Sequence, residues 1–526
     1  MKILSLNLSH NASCTIIENG EISFFVEEER LSKLKKDNKI NKICELLKNS
    51  FFDYIYYTSF DINLNKKNFY KSIVTDNLKK NNITFKEIIE YPYHHCTHAF
   101  SAFYNSGFEE AIVLVVDNGG VSLKYNETEM GSEILSIFQI KYGEEPKNIF
   151  KICRNEEGKK INFNNTFFSI DTISIPGIYE LFIKLFNFNE PGSIMGLSCY
   201  GKNTINKNLF QIQDNFFNCN SLILNDLIME YFDSKEDICY FIQKECTKTV
   251  THYLNLIKNS FSNVPICVSG GFFQNCVANY EFLKKGLDIF VDPICHDGGT
   301  SLGLAQYAYL KHSKDKKINK YSNLYLGPNI QYSNKVILKN TKFNSKKIEI
   351  KEVASLLKNK KSVAIFQGRS EIGPRALGNR SILFDPSDPL AKEKINLIKK
   401  REWFRPFAGT ILNEYKDEWF DLYSKESTDY MSYALNIKEN KRKLIPGICH
   451  IDNTCRAQTL KQKDNPVFYN LIKEFYNLTS IPILLNTSLN KSGKPLVENL
   501  EDLLDFLDST SIDYVYLPEK EIIIYK

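Results

Sequence analysis

An α/β architecture is predicted by three stretches of the chain, AIVLVVDNGG (111–120), PICVSGGFFQN (265–275) and DIFVDPICHDGG (288–299). Each is an apolar run that stops at polar or glycine-rich turn residues and is followed by a segment with helical character. Short continuous apolar runs read as buried strands, and strands alternating with helices assemble as α/β units.

The whole-chain properties set the class. With 526 residues there is material for two or three domains, each with an ample core. A hydrophobic content of 43% with 25% charged residues is that of an ordinary soluble globular protein. A net charge of +5 is too small to argue for a nucleic-acid or membrane partner, so neither is expected. No apolar run approaches the roughly 18 residues of a membrane span. Thirteen cysteines without a C-x-x-C pair point to free thiols in a reducing cytoplasm, against a disulfide framework or a zinc ribbon. The start, MKILSLNLSHNASC, is interrupted by polar residues too early for a signal peptide.

In chain order, residues 2–8 and 21–27 alternate as half-buried strands, with Asn19-Gly20 as a hairpin turn and Ser9-His10-Asn11-Ala12-Ser13 as a polar loop. EEERLSKLKKD (27–37), which contains Lys35, reads as an exposed charged helix or loop. His94 and His98 lie at i and i+4 of a helical segment, so their side chains leave one face about 5–6 Å apart and can share a metal ion. Asp117 ends the first apolar run next to Asn118-Gly119-Gly120, which points its carboxylate into a cleft, and Asp297 offers a further acidic ligand. Gly196–Asn203 nearly matches a P-loop but has Asn where Ser or Thr must meet Mg²⁺, and is rejected. Ser269-Gly270-Gly271, before the helix that contains Gln274 to Tyr280 and so Asn275, presents backbone N–H groups suited to a phosphate or nucleotide.

The lysine- and asparagine-rich stretch 312–322 and Gly327-Pro328 mark a boundary, placed between residues 1–340 and 341–526. Beyond it come a helix (351–359), the strand SVAIFQG and the loop Arg369–Arg380, where Arg369, Arg375 and Arg380 alternate with three glycines. That mixture is hard to place in a core, whereas bidentate donors beside bare backbone suit an anion. Lys399 to Phe407 interleaves Lys399 and Arg405 with aromatics, and the run IPILLN ends in a polar loop carrying Ser488 and Asn490. These three loops read as a site for ATP or phosphate.

With these motifs in view, the chain resembles the O-carbamoyltransferases of antibiotic and nodulation-factor biosynthesis, the NodU/CmcH type, over nearly its full length. The matching segments include SHNAS, EEERLSKLKKD, HHCTHAFSAF, VVDNGG, GSIMGLSCYGK, SGGFFQN, HDGGTSLGLA, KKREWFRPFAG and LNTSLNKSGKPLVE. The most specific is GRSEIGPRALGNRSIL. The resemblance implies an actin-like, sugar-kinase-like (ASKHA) N-terminal domain followed by a YrdC-like α/β domain. It implies that carbamoyl phosphate and ATP give carbamoyl adenylate in the YrdC-like part. The carbamoyl group then passes to a hydroxyl of a small-molecule or sugar acceptor in the N-terminal part. By the same resemblance His94, His98, Asp117 and Asp297 are ligands of a divalent metal, Fe²⁺ in that family, and Mg²⁺ accompanies ATP. His10 and Lys35 match its acceptor and carbamoyl site, and Arg375, Lys399, Arg405, Ser488 and Asn490 its carbamoyl phosphate and ATP loops. A homodimer is compatible with all of this. The chain departs from the family pattern at Lys35-Lys36-Asp37, where Lys-His-Asp is usual, at Ala408-Gly409 and at Leu489. The rival readings are a threonylcarbamoyl-adenylate enzyme of tRNA modification, which the modest charge disfavours, and a non-catalytic nucleotide-binding regulator.

Overall fold

The computed structural model describes residues 1–526 except 60–66, 126–127, 156–160, 164–165, 203, 214, 231–233, 315 and 331–341. It divides into two compact units, one of Met1–Ser32 with Lys36–Tyr321, the other of Ser322–Lys526 with Lys33–Lys35. The boundary expected at 340/341, like Asn203 at the end of the rejected P-loop, lies outside the described residues.

In the first unit, strands β1 (Lys2–Asn7), β2 (Ser13–Glu18), β3 (Glu21–Glu27), β4 (Phe51–Thr58) and β5 (Thr84–Glu90) form a sheet in the order β3-β2-β1-β4-β5. β2 runs antiparallel to both neighbours, whereas β1, β4 and β5 are parallel. A second sheet is built from β6 (Glu110–Val116), β7 (Ser122–Tyr125), β8 (Thr128–Lys141), β9 (Lys147–Arg154), β10 (Ile161–Phe163) and β11 (Phe167–Ile170). After the separate hairpin of β12 (Phe210–Gln213) and β13 (Phe216–Cys219), β14 (Ile266–Ser269) and β15 (Ile289–Val291) complete it. Its centre reads β9-β8-β6-β14-β15, again with the second strand antiparallel to both neighbours and the last three parallel. One five-strand pattern occurring twice in a single unit is the duplicated topology of the actin-like fold.

The parallel strands are the apolar ones, as burial on both faces requires. All of Ala111–Val116 and Ile266–Val268 are buried. The polar loops therefore gather where these strands end, at their carboxyl termini, the place where open α/β sheets receive ligands. Ser9 to Asn11 follow β1, Asp117 to Gly120 follow β6, Gly270-Gly271 follow β14, and Asp297 lies six residues beyond the end of β15.

The helix His94–Ser106 is buried along almost its whole length and ends at Gly107 in the left-handed region (φ 80°). It packs against the helix Thr300–His312 at close range because Gly303 has no side chain. A Cβ there would overlap the carbonyl oxygen of Thr97 and crowd the amide of Ser101.

The exposed charged helix expected over 27–37 is not what forms. Glu27, Glu28, Glu29 and Arg30 are all buried, in and just before the short helix Glu28–Ser32. Glu28 accepts the backbone N–H groups of Lys42 (2.7 Å) and Ile43 (2.8 Å), which cap the helix Asn41–Leu46, whose own N-cap residue Ile40 has no side-chain acceptor. A long-range cap of this kind leaves no local trace in the sequence.

The second unit has one nine-stranded sheet. Its strands are β16 (Asn344–Lys347), β17 (Val363–Phe366), β18 (Arg380–Phe384), β19 (Ala408–Leu412), β20 (Ala434–Asn436), β21 (Thr454–Leu460), β22 (Ile483–Ser488), β23 (Tyr514–Leu517) and β24 (Ile522–Tyr525). The order is β16-β24-β23-β17-β18-β22-β19-β21-β20, with β17–β23 and β19–β21 parallel and the other pairs antiparallel. Helices such as Ile350–Lys358 and Pro466–Thr479 complete this mixed α/β unit.

Because the Gly303 contact is backbone on backbone, Gly303→Ala is expected to destabilise the protein by about 1–3 kcal/mol. A thermal-denaturation midpoint equal to that of the wild type would show that the two helices have room to separate.

Candidate metal centre and active site

The His94–Ser106 helix presents His94 and His98 on one face, with the ring centroids 4.8 Å apart and the ring planes nearly perpendicular. Their Nε2 atoms converge to 3.2 Å. Asp117 Oδ2 lies 3.6 Å from His94 Nε2 and 3.7 Å from His98 Nε2. Asp297 Oδ1 lies 3.7 Å and 3.6 Å from the same two atoms. One donor atom from each residue falls within 4.8 Å of every other, and all four side chains are buried. Four donors around a divalent ion with bonds of about 2.1 Å stand about 3.4 Å apart in a tetrahedron, so these spacings and the nitrogen–oxygen donor set fit such an ion.

Electrostatics makes the same point. Burial alone would lower both histidines, but Asp117 and Asp297 outweigh it and raise His98 and, to about 10, His94. Burial would raise Asp117, yet His94 and His98 hold it well below the usual carboxylate range. Burial and the charge of Asp117 push Asp297 upward, and His10 with the two imidazoles more than reverses this. The enclosed pair of carboxylates demands positive charge, as protons or as a cation.

Neighbouring groups aim the ligands. The Gly271 N–H donates to Asp117 Oδ1 (2.9 Å). Ser9 donates its hydroxyl to Asp297 Oδ2 (3.1 Å), and Asn7 donates to the Asp297 carbonyl (3.0 Å). Ser269 Oγ stands 3.4 Å from His98 Nδ1. The first turn of the histidine helix is fixed from β8, where Glu133 accepts the backbone N–H of His95 (3.0 Å) while pairing with Lys151. The N-cap residue Tyr93 supplies no such acceptor. Burial would raise Glu133, but Lys151 lowers it to about 2, so the acceptor stays ionised. His95 points the other way, with Nδ1 2.8 Å from Ser136 Oγ, and burial lowers it to about 3.

The other residues expected at the transfer site divide. His10 is half-exposed, with Nδ1 3.3 Å from Asp297 Oδ2 at the edge of the cluster. Lys35 is exposed and is not among the cluster residues. The N–H of Gly271, expected to meet a phosphate, is occupied by Asp117. Gly270 has a positive φ of 96°, and a Cβ there would collide with the Val116 backbone, so the position requires glycine. Asn275 is the N-cap of the helix Cys276–Lys284, accepting from Ala278 N (3.0 Å) and donating to Tyr179 and Gln243 (3.0 and 2.9 Å). Gly270, Gly271 and Asn275 thus build and hold the site, and Gly271 and Asn275 already have protein partners.

In the second unit, Lys399 Nζ donates to the Ser488 carbonyl, to Ser488 Oγ (3.2 Å) and to the carbonyl and side-chain oxygens of Asn490 (2.9 Å each). These three residues, read from two separate loops, do meet. Arg405 is largely buried, with Glu402 3.7 Å away, and Arg375 is half-buried. Arg369 is turned to the carbonyls of Leu326 and Gly327. Arg380 corrects an expectation, since an arginine of this loop does lie in the core. It is fully buried, stacked 4.1 Å from the Phe366 ring centroid, and donates to the carbonyls of Gln367, Gly368 and Asn379. A guanidinium so enclosed braces its loop.

Sequence reasoning missed two residues here. Buried Glu371 accepts the backbone N–H groups of Leu377 (2.7 Å) and Arg380 (3.2 Å) and so shapes the glycine–arginine loop. Arg456 pairs in register with Ala408, which pairs with Asn486, so it shares a sheet face with Gln458, Thr410, Asn486 and Ser488. The alternation in TCRAQTL, with Arg456 and Gln458 two apart, was the available signal.

Two family models match the chain, "Carbamoyltransferase N-terminus" over residues 47–306 and "Carbamoyltransferase C-terminus" over residues 354–524. An uncharacterized protein of Methanocaldococcus jannaschii is 30% identical, with 98% of each chain covered. Nodulation protein NolO of Bradyrhizobium diazoefficiens is 30% identical over 80% of this chain and 76% of its own. The 3'-hydroxymethylcephem-O-carbamoyltransferase of Amycolatopsis lactamdurans is 30% identical over 47% of this chain and 46% of its own. The chain belongs to the carbamoyltransferase family, of the NodU/CmcH type, and is a transferase enzyme.

Proposed function

We propose that the protein is an ATP-dependent O-carbamoyltransferase that activates a carbamoyl group as its adenylate and delivers it to a hydroxyl of a small-molecule or sugar acceptor. The observation that carries this reading is the convergence of His94, His98, Asp117 and Asp297, with a half-exposed His10 against Asp297. A mixed anhydride hydrolyses readily, and a buried polar centre with one accessible base at its edge suits handing it to an alcohol.

In the activation half, water hydrolyses carbamoyl phosphate to phosphate and carbamate, and a carbamate oxygen attacks the α-phosphorus of ATP with pyrophosphate leaving. Charge develops on phosphoryl oxygens in that step, and cations held in place beforehand stabilise it most. Lys399, fixed by Ser488 and Asn490, and Arg405 are such cations, with Arg375 and Arg456 on neighbouring elements. Arg369 and Arg380 shape the loop that carries Arg375. Mg²⁺ accompanies the ATP.

In the delivery half, the acceptor oxygen attacks the carbonyl carbon, the bond to the adenylate oxygen breaks and AMP leaves. Asp297 receives the Nδ1–H of His10, which places the lone pair on Nε2, where it can take the hydroxyl proton. His94, His98, Asp117 and Asp297 would hold a divalent ion, Fe²⁺ in keeping with the family resemblance. When bound, that ion supplies Lewis-acid polarisation of an anionic or carbonyl oxygen. Lys35, exposed beyond the helix Glu28–Ser32, is retained as a candidate contact to the carbamoyl group or acceptor.

Three outcomes are expected. Lys399→Met should lower carbamoyl-phosphate-dependent pyrophosphate release by about 10²–10³-fold. Unchanged release would remove Lys399 from the activation step. The double variant His94→Ala with His98→Ala should contain no stoichiometric metal by elemental analysis and transfer nothing to acceptor, while still releasing pyrophosphate. Metal retained at wild-type content would contradict the ligand assignment. His10→Ala should slow carbamoylation of a hydroxylated acceptor by about 10²–10⁴-fold at wild-type metal content. Transfer at the wild-type rate would exclude His10 as the base.

A further inference from the structure

Asp292 is a buried carboxylate that neither half of the reaction uses, and it is not one of the four residues whose donor atoms converge. It directly follows β15, and its N–H donates to the Val268 carbonyl of β14 (3.1 Å). Its Oδ1 accepts the N–H of Ile294 (3.1 Å), in the segment that leads to Asp297. Its Oδ2 accepts the hydroxyl of Ser269, the last residue of β14 (3.2 Å). Burial pushes the carboxyl upward, and the Ser101 hydroxyl, the Ile294 N–H, the His98 ring and the Ser269 hydroxyl counter part of that rise. Ser101 belongs to the histidine helix, three residues beyond His98 and so on the same face.

The hydroxyl of Ser269 has one proton, and Asp292 receives it. What Ser269 offers His98 Nδ1, 3.4 Å away, is therefore a lone pair, so that nitrogen carries the proton. With the ring neutral, the free lone pair of His98 is then on Nε2, the atom that converges with His94 Nε2 and with both aspartates. An imidazole that ligates a metal almost always passes its other N–H to a carboxylate, a carbonyl or a water, which fixes the tautomer and the ring orientation. Here a hydroxyl stands between the ring and the carboxylate. The same carboxylate also reaches the helix of His98 through Ser101 and the turn before Asp297 through Ile294.

We propose that Asp292 and Ser269 are positioning residues for the metal centre, a carboxylate–hydroxyl relay that fixes the His98 tautomer, aims Nε2 at the cluster and so tightens the binding of a divalent ion. The relay rests on reading His94, His98, Asp117 and Asp297 as ligands, and it needs neither the adenylate nor an acceptor. Asp292 and Ser269 act through His98 and do not themselves touch the ion.

The test is titration of the full chain with cobalt(II), read from its visible absorption and confirmed by elemental analysis, in the wild type, Ser269→Ala, Asp292→Asn and the double variant. The variant His94→Ala with His98→Ala is the blank for cobalt bound elsewhere, and thermal denaturation is the fold control. Ser269→Ala should weaken cobalt binding by about ten- to a hundredfold and shift the absorption bands, at a melting midpoint close to that of the wild type. Asp292→Asn, which keeps an acceptor oxygen for the hydroxyl, should weaken it by less. The double variant should bind no more weakly than Ser269→Ala, because the two residues act through one hydroxyl. Losses that multiply in the double variant, or an unchanged affinity in either single variant, overturn the relay and leave the ligand assignment standing. A wild type that binds cobalt no better than the blank overturns the ligand assignment and the relay together. Should Asp292→Asn melt early, the affinity of Ser269→Ala alone decides.

Discussion

Two carboxylates enclosed with two imidazoles, all removed from water, are the constraint on which the first unit depends. Isolated buried anions are costly, and no local arrangement of Asp117 or Asp297 would be stable without positive charge and hydrogen bonds converging on them. The duplicated topology supplies both. Loops at the carboxyl ends of strands β1, β6, β14 and the segment after β15 each contribute one part: Ser9 and His10, Asp117, the Gly271 N–H, and Asp297. Ligands separated by about two hundred residues in the chain thus meet only when both sheets are formed. The same geometry that stabilises the fold leaves a cation-demanding site at its centre.

The second unit handles charge differently. Three of its basic residues are matched to backbone oxygens before any ligand arrives: Lys399 to Ser488 and Asn490, Arg369 to Leu326 and Gly327, Arg380 to three carbonyls. Glu371 organises the loop from within by accepting amide hydrogens. Such prior fixation lets cations stabilise charge that appears on an anionic group without first reorganising.

The histidine–aspartate cluster was legible in the chain because each part has a local signature. A one-turn histidine spacing and an aspartate closing an apolar strand survive without knowledge of tertiary structure. Ser488 and Asn490 were readable for a similar reason, as polar groups at the end of an apolar run, and Lys399 as a cation set among aromatics. What stayed hidden depends on partners far away in sequence. Glu28 caps a helix that begins thirteen residues later, so it read as an exposed charge, and Glu133 caps the histidine helix from another strand, which no local pattern announces. Gly271 and Asn275 read as ligand contacts because their protein partners, Asp117 and Gln243, lie elsewhere in the chain. Arg380 misled because arginines are seldom fully buried, and only the ring of Phe366 and the surrounding carbonyls make it possible.

The most direct test is anomalous diffraction from crystals of the full chain grown anaerobically with ferrous iron, collected on both sides of the iron absorption edge. The account predicts one strong peak bonded to Nε2 of His94 and His98 and to a carboxylate oxygen of Asp117 and of Asp297. Density showing the four side chains hydrogen-bonded to one another at saturating iron, or the peak located on other residues, would contradict it.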